Sequence, residues 1–197
     1  MICRLFHLLD FFLISLTCHQ WSIPNPHWQR AFGLMAAYGI SNHELFHVDL
    51  DSLLEVPGHL ISTYRKNHYG VRRIYCLYPE WYKEWELFKH IDLPQVTGQN
   101  NRDLGHRVST AFRRYGLCKP GDLRHCWAIR AMGFIPDSMA ARMMAHKTQV
   151  HNDTYKRWID ENDEDRFYQL LKLIGQTDLN LQLSKVQYWW CEDKNRF

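Results

Sequence analysis

The spacing of apolar residues predicts that the chain is mostly helical beyond about residue 100. Leu104, Val108 and Phe112 are four residues apart, so a helix would place them on a single side. Pro120 and Pro136 stand where further helices would begin, because proline is favoured in the first turn. The predicted helices cover residues 122–132, 138–145 and 151–159, followed by an amphipathic helix over 166–174.

Two shorter helices are predicted near the start of the chain. The first covers residues 28–38 and ends at Gly39, since glycine commonly follows the last turn of a helix. The second covers residues 44–48, and Ser41 or Asn42 can cap it through a side-chain oxygen.

A β-hairpin is predicted between these helices and the helical second half. Residues 60–64 and 74–78 are rich in β-branched and aromatic side chains, which favours two strands joined by a turn. Pro79 then opens an aromatic helix. This element order predicts an α+β fold that is mainly α-helical with a small antiparallel β-sheet.

The first 23 residues differ from the rest of the chain. Their apolar stretch is interrupted by His7 and Asp10, is too short to cross a bilayer and lacks a small-residue cleavage site. We expect an amphipathic segment that packs on the body, with a secreted or lipid-anchored protein, processed near Cys18, as the alternative. Proline-rich residues 24–26 then mark a boundary. The expected domains are residues 1–23, 24–160 and 161–197, and no membrane partner is expected.

Composition and charge narrow the class of protein. Of the 197 residues, 46% are hydrophobic, so a wholly disordered chain is excluded. The formal net charge of +3 hides an uneven distribution, because basic residues surround the hairpin turn and recur over 102–130, whereas acidic residues cluster at 160–165. A basic middle region favours a nucleic-acid partner, and a solvated basic face is the simpler alternative.

Cysteine and histidine spacing gives little support for a metal centre. The six cysteines are widely separated, so a compact zinc-binding pattern is absent from the sequence. The twelve histidines are dispersed, although their number keeps a zinc protein open as an alternative. We therefore expect reduced thiols, no metal and no cofactor.

Three short motifs in the second half share the order and spacing of a known family. They are Leu123-Arg124-His125, Ala145-His146 and a tyrosine, Tyr155, nine residues after that histidine. Together they resemble the catalytic domain of tyrosine recombinases, the phage-type integrases, in which a helix beginning H-x-L-R-H is followed by L-G-H and then by the tyrosine. The resemblance covers residues from about 24 to 160, without the N-terminal helical domain usual in that family.

The resemblance extends upstream of these motifs. Residues 38–44, Tyr-Gly-Ile-Ser-Asn-His-Glu, are similar to the T-G-L-R-x-x-E box of the family. The basic hairpin occupies the position of the hairpin that carries the family's catalytic lysine. Two positions depart from the pattern: Ser41 stands where the first arginine is expected, and Gly121 stands where the first histidine of the later box is expected.

The resemblance implies a chemistry for four residues. Tyr155 would attack the scissile phosphate and form a phosphotyrosyl link, so that DNA is cut and rejoined without a metal. Arg124 and His146 would hydrogen-bond the phosphate oxygens, and Lys66 would protonate the leaving 5′ oxygen. The expected DNA-binding residues are Arg65, Arg72, Arg73, Arg113, Arg114 and His125.

The resemblance also implies partners and a location. Double-stranded DNA is the expected partner, with self-association on DNA as a tetramer, in the cytoplasm at the nucleoid. The loss of the arginine at Ser41 should weaken transition-state stabilisation, because a serine offers one neutral donor in place of a charged fork. A recombinase or integrase with impaired cleavage is therefore the first hypothesis. A catalytically inactive DNA-binding remnant or regulator is the alternative.

Overall fold

The computed structural model of this chain describes residues 22–55, 59–63, 70–77, 79–132 and 135–155. The α-helices are α1 (Pro26–Tyr38), α2 (Ser52–Glu55), α3 (Pro79–Glu84), α4 (Asn101–Arg114), α5 (Pro120–Met132), α6 (Asp137–Met143) and α7 (Thr148–Tyr155). A 3-10 helix covers Glu44–His47, and the strands are β1 (Val48–Asp49), β2 (His59–Ser62) and β3 (Arg72–Tyr75).

Helix α1 begins and ends for local reasons. The Asn25 side chain caps it by accepting hydrogen bonds from the backbone N–H groups of His27 and Trp28, at 3.0 and 3.1 Å. Gly39 follows the last turn with φ 61°, a conformation that glycine adopts without steric cost. The helix predicted over 28–38 is confirmed, and the proline and the asparagine cap move its start to Pro26.

The second short helix differs from its prediction in type and in capping. It is a 3-10 helix, and His43 at its N-cap position makes no side-chain capping bond. The Asn42 side chain instead donates to the carbonyl oxygen of Gly105 at 3.1 Å, and the Ser41 hydroxyl donates to Glu44 at 3.2 Å. Both side chains that were expected to cap a helix are engaged in tertiary or local bonds, which explains the difference.

The sheet is three-stranded and antiparallel, in the order β1-β2-β3. Leu60 of β2 faces Ile74 of β3, and both side chains are fully buried. The predicted hairpin is confirmed with shorter strands, and its turn at residues 64–69 lies outside the described part of the chain. Because side chains alternate along β3, Arg72 is on the buried face with Ile74, while Arg73 is exposed.

The hydrophobic core forms around α1. Every residue from Arg30 to Tyr38 is buried, so this helix is covered on all sides. Phe32 packs against Phe112 of α4 with ring centroids 5.7 Å apart, and Trp127 of α5 is fully buried. The core therefore joins helices from both halves of the chain, and it fixes α5 beside the end of α1.

The described residues are mainly helical with a small antiparallel sheet, which agrees with the predicted α+β class. The N-terminal segment 1–21, the helix predicted over 166–174 and the boundary at 160 lie outside the described residues. Cys76, Cys118 and Cys126 form no disulfide with one another. Among the described helices, none has the length and apolar character needed to cross a membrane.

Candidate active site

Arg124 of α5 is anchored by the ends of two other helices. Its Nη1 donates to the carbonyl oxygen of Gly39 at 2.8 Å, just beyond α1. Its Nη2 donates to the carbonyl oxygen of Met144, just beyond α6. Carbonyl groups at a helix C-terminus carry partial negative charge, so both ends favour a cation. The guanidinium is therefore fixed in position by backbone atoms, and its side chain is 14% exposed.

Both of these turns require a left-handed residue. Gly39 has φ 61°, and a Cβ placed there would lie 2.5 Å from Cγ of Trp127, so only glycine fits. Ala145 has φ 52° and ends α6 in a Schellman motif, in which the N–H of His146 donates to the carbonyl of Ala141 at 2.8 Å. Ala145 is the position at which the L-G-H motif has glycine, so alanine here adopts a conformation that glycine adopts more readily.

His146 comes directly after this turn and lies beside Arg124. Its Nε2 is 3.4 Å from Nη2 of Arg124. The Schellman turn sets this distance, because it directs the chain from α6 back towards α5. The two groups that the motifs single out as phosphate ligands are thus adjacent.

Glu44 connects four polar groups in the interior. It is 2% exposed, and its Oε1 accepts from the hydroxyl of Ser62 at 2.5 Å and from the guanidinium of Arg72. Its Oε2 accepts from the N–H and the hydroxyl of Ser41 at 3.3 and 3.2 Å. The same oxygen lies 3.8 Å from Nη1 of Arg124. A buried carboxylate in such surroundings is stabilised in its charged form by its partners.

Arg72 lies inside the domain. It is 5% exposed, and its Nε donates to the carbonyl oxygen of Met143 at 3.2 Å, one residue before the carbonyl that binds Arg124. Burial, and secondarily the charge of Arg124, lowers the pKa of Arg72 to about 10. Two guanidinium groups therefore share Glu44 and the end of α6, and both remain charged at neutral pH.

Tyr155 is at the end of α7 and is 2% exposed. Its ring packs against His151 at 4.8 Å and against His125 of α5 at 5.7 Å between centroids. Burial raises the pKa of the Tyr155 phenol, and the nearby charge of Arg124 acts in the opposite direction. The pKa of Arg124 falls to about 10 through burial, opposed by Tyr155, so these two groups interact electrostatically.

His151 contacts Tyr155 and was not among the site residues predicted from the sequence. Its side chain is fully buried one turn before Tyr155. Burial lowers its pKa, Asp137 raises it and Arg124 lowers it. The four-residue spacing between the histidine and the tyrosine on a predicted helix was the available signal. The imidazole packs directly against the Tyr155 ring, with centroids 4.8 Å apart.

The other predicted residues lie at the surface or outside the described residues. Arg73 is exposed on β3, and Arg113 and Arg114 are exposed in the last turn of α4. His125 is exposed while its ring contacts Tyr155. Lys66 and Arg65 fall in the stretch 64–69, outside the described part of the chain. The structure thus brings Arg124 and His146 together, places Tyr155 close enough to Arg124 for their charges to interact, and buries Arg72 nearby.

The two positions at which the sequence departs from the family pattern lie in different surroundings. Ser41 lies beside Glu44 and occupies the carboxylate oxygen that is also near Arg124. Gly121 is in the first turn of α5, where an added Cβ would meet open space. Of the two departures, the one at Ser41 therefore lies within the site, and the one at Gly121 has no packing consequence.

Two proteins of Nostoc sp. (strain PCC 7120) are similar to this chain. Excisase A is 33% identical over 149 residues, which cover 66% of this chain and 31% of that protein. Excisase C is 31% identical over 159 residues, which cover 73% of this chain and 32% of that protein. No family model matches the sequence, and no solved structure matches it. The chain thus spans about a third of the length of the curated relatives it matches.

Proposed function

We propose that this chain acts in site-specific DNA recombination or excision, as a catalytic domain of the tyrosine-recombinase type. The observation that carries the proposal is the adjacency of Arg124 and His146, 3.4 Å apart, with Tyr155 close enough to interact electrostatically with Arg124. These are the three residues that the motif spacing selects. The similarity to Excisase A and Excisase C supports the same kind of reaction.

In the proposed reaction, the Tyr155 phenol loses its proton to solvent, and the phenolate oxygen forms a bond to the scissile phosphorus. The bond from phosphorus to the 5′ oxygen breaks, and Lys66 gives that oxygen a proton. Arg124 and His146 donate hydrogen bonds to the non-bridging oxygens, where negative charge develops. The positive charge of Arg124 also favours the ionised phenol that attacks. The phosphotyrosyl bond retains the energy needed for rejoining.

The phenol of Tyr155 must become accessible before it can react. Tyr155 is 2% exposed, and its ring is held between two imidazoles. A phosphate can therefore meet the phenol only after the end of α7 has shifted. The Arg124 side chain is more exposed, at 14%. We expect DNA binding to precede the release of Tyr155.

Ser41 weakens the proposed site, and Arg72 partly compensates. The serine gives the site one neutral hydroxyl, where a guanidinium would carry a full charge. Arg72 binds the same carboxylate as Ser41 does. Since its side chain is 3% exposed, it acts as a positioning residue that holds Glu44 and adds positive charge behind Arg124. Cleavage is therefore expected to be slow.

The alternative is a catalytically inactive DNA-binding protein that occupies recombination sites. Ser41 and the burial of Tyr155 favour it. Both hypotheses include binding to double-stranded DNA through Arg73, Arg113, Arg114 and His125, with Arg65 on the hairpin. Self-association on DNA belongs to the first hypothesis, because strand exchange joins several cut ends.

A covalent-adduct assay tests the proposal. The full chain is incubated with a pool of nicked duplexes of random sequence, in which the cut strand diffuses away and traps the protein–DNA link. We expect a slowly formed adduct that Tyr155→Phe abolishes and that the matched variant Tyr75→Phe leaves unchanged, since the Tyr75 side chain is on the exposed face of β3. Adduct formation by Tyr155→Phe would overturn the assignment of the nucleophile.

The variant Ser41→Arg separates the two hypotheses. A faster adduct in Ser41→Arg, with unchanged DNA affinity, supports an enzyme that is limited by the missing arginine. DNA binding without any adduct, in both the natural chain and Ser41→Arg, supports the inactive binding protein. Failure of the natural chain to bind DNA at low salt would overturn both.

A further inference from the structure

A groove lies beside the Ser41–Glu44 segment, which contributes Asn42 and His43 to its lining. It has a volume of about 830 Å³ and runs between residues 42–43, the loop at 97–99 and the first half of α4. Its side chains are polar or basic, among them Asn42, His43, Arg102 and Arg107. The composition is unlike that of the core, and it suits a charged ligand.

The walls of this groove are fixed by hydrogen bonds. Asn42 donates to the carbonyl oxygen of Gly105 at 3.1 Å, and a Cβ at Gly105 would lie 3.0 Å from Nδ2 of that asparagine. His47 and the Asn101 side chain are 2.9 Å apart. The segment around Ser41 and helix α4 are thus tied together at two points, so the groove is present before any ligand binds.

The charge of the groove is positive. Arg102 and Arg107 are both exposed, and the Nε of Arg107 donates to the carbonyl oxygen of Thr97 at 3.2 Å, which holds its stem against the loop. Asp103 is the acidic residue of the lining, and its carboxylate accepts the N–H of Gln99 at 3.2 Å. Arg102 stands in the first turn of α4, where the helix dipole already favours an anion.

We infer that this groove binds the phosphate backbone of the DNA duplex that the site acts on. The inference rests on the proposed function and assigns Arg102 and Arg107, with Asn42 and His43, a part in it. Arginine binds phosphate through its planar fork of donors, and asparagine and histidine also donate to phosphate oxygens. The groove meets the site through the segment that contains Ser41 and Glu44.

The helix continues the same basic surface. Arg107 and Arg114 are seven residues apart, which is two turns, so they share a side of α4. His106 and Arg113 have the same relation. A DNA backbone that enters the groove can therefore pass along α4 to the two arginines in its last turn. This path links the new groove to residues that the sequence already indicated.

The salt dependence of DNA binding tests the inference. The full chain and the variant Arg102→Ala/Arg107→Ala are titrated with duplex DNA of random sequence at several salt concentrations. Loss of two phosphate contacts should lower the slope of log affinity against log salt by about 2 and lower affinity at physiological salt by at least about tenfold. The matched control is Lys83→Ala/Lys89→Ala, which removes the same charge from exposed residues near α3.

Equal losses of DNA affinity in the two double variants would overturn the inference that the groove binds DNA, because net charge alone would then explain binding. Since Arg107 also bonds to Thr97, the single variant Arg102→Ala is measured beside the pair, and an unchanged slope in that variant counts against the inference. If the natural chain binds no DNA, the proposed function fails as well. If the natural chain binds DNA and the groove variants lose no more affinity than the control variant does, only the inference about the groove is wrong.

Discussion

The buried cluster around Glu44 and the exposed groove on α4 both contain two arginines, but they use them differently. Arg72 and Arg124 are 3% and 14% exposed, and each donates to backbone carbonyls and lies close to a carboxylate. Arg102 and Arg107 are exposed. Removing a charge from water is costly, so the interior must supply partners for each guanidinium. The surface has no such requirement and leaves its arginines available to an external anion.

The comparison bears on how each region would contribute to function. The bonds of the buried arginines fix geometry, which catalysis needs, and they make the region sensitive to single changes. Under the proposed function, the exposed arginines of the groove would contribute to DNA affinity, and single changes there should be tolerated by the fold. The following predictions test this contrast, beginning with the largest expected effect.

Glu44→Gln should be the most damaging change. It removes the negative charge from between Arg72 and Arg124 and leaves two buried cations, which should cost about 3–5 kcal/mol of unfolding free energy. Chemical denaturation followed by circular dichroism measures the loss. The control Glu86→Gln breaks the exposed pair with Lys89 and should cost no more than about 1 kcal/mol. Equal losses of unfolding free energy in the two variants would contradict the difference between buried and exposed charges.

Gly39→Ala tests the turn that holds Arg124. The added methyl would meet the ring of Trp127 in a left-handed residue, and we expect a loss of about 2–4 kcal/mol in unfolding free energy. Gly116→Ala is the matched control, because Gly116 has φ 67° but open space around its Cβ position. It should cost about 1 kcal/mol. The difference in denaturation midpoint between the two variants reports the Trp127 contact alone.

Alkaline pH should lower the unfolding free energy through two buried thiols. Burial raises the pKa of the Cys118 and Cys126 thiols to about 12, from 9.0 in the unfolded chain. Their stabilising contribution is complete below pH 9 and is lost progressively as pH rises towards 12, because only the unfolded chain ionises there. Between pH 8 and 9.5 the unfolding free energy should fall by about 1.5 kcal/mol for the two thiols together.

Urea titrations of the variant Cys118→Ala/Cys126→Ala check this cause. The variant should lose most of the decline with pH, whatever its absolute stability. The groove variant Arg102→Ala/Arg107→Ala should keep the full decline. A decline of the same size in the alanine variant would assign the pH dependence to other groups.

Ala145→Gly should produce the smallest change, and a favourable one. Glycine adopts φ 52° without steric cost, so relief of the left-handed alanine should raise the unfolding free energy by about 0.5–1 kcal/mol. Ala140→Gly, within α6, should lower it by about 1 kcal/mol. Thermal melting of the two variants gives opposite shifts if the turn geometry is correct. A lower melting temperature for Ala145→Gly would contradict it.

The helices were largely predictable from local signals. Prolines open α1 and α5 and precede α6, and Gly39 follows α1, because these residues favour one backbone conformation wherever they occur. The small sheet was predictable from β-branched residues and a turn. The 3-10 helix was not, because its expected caps bond to Glu44 and Gly105, and such bonds depend on distant elements.

The candidate site was predictable in part. Motif spacing selected Arg124, His146 and Tyr155, which lie together. Arg72 was predicted to bind DNA, and the structure buries its side chain; its two-residue spacing from the apolar Ile74 had already placed both on one face of a strand. The role of Glu44 as the shared partner of two arginines required the contact between β3, α5 and the 3-10 helix.

By itself, the sequence determined most of the longer helices, the hairpin, the order of the motifs and the glycine that ends α1, because these depend on residues close together along the chain. Tertiary structure alone decided which charges are buried, which carboxylate Ser41 and two arginines share, and that Asn42 and His43, beside Ser41, line a basic groove with α4. The reason is physical: burial and charge pairing depend on distances in space, and residues far apart in sequence set those distances.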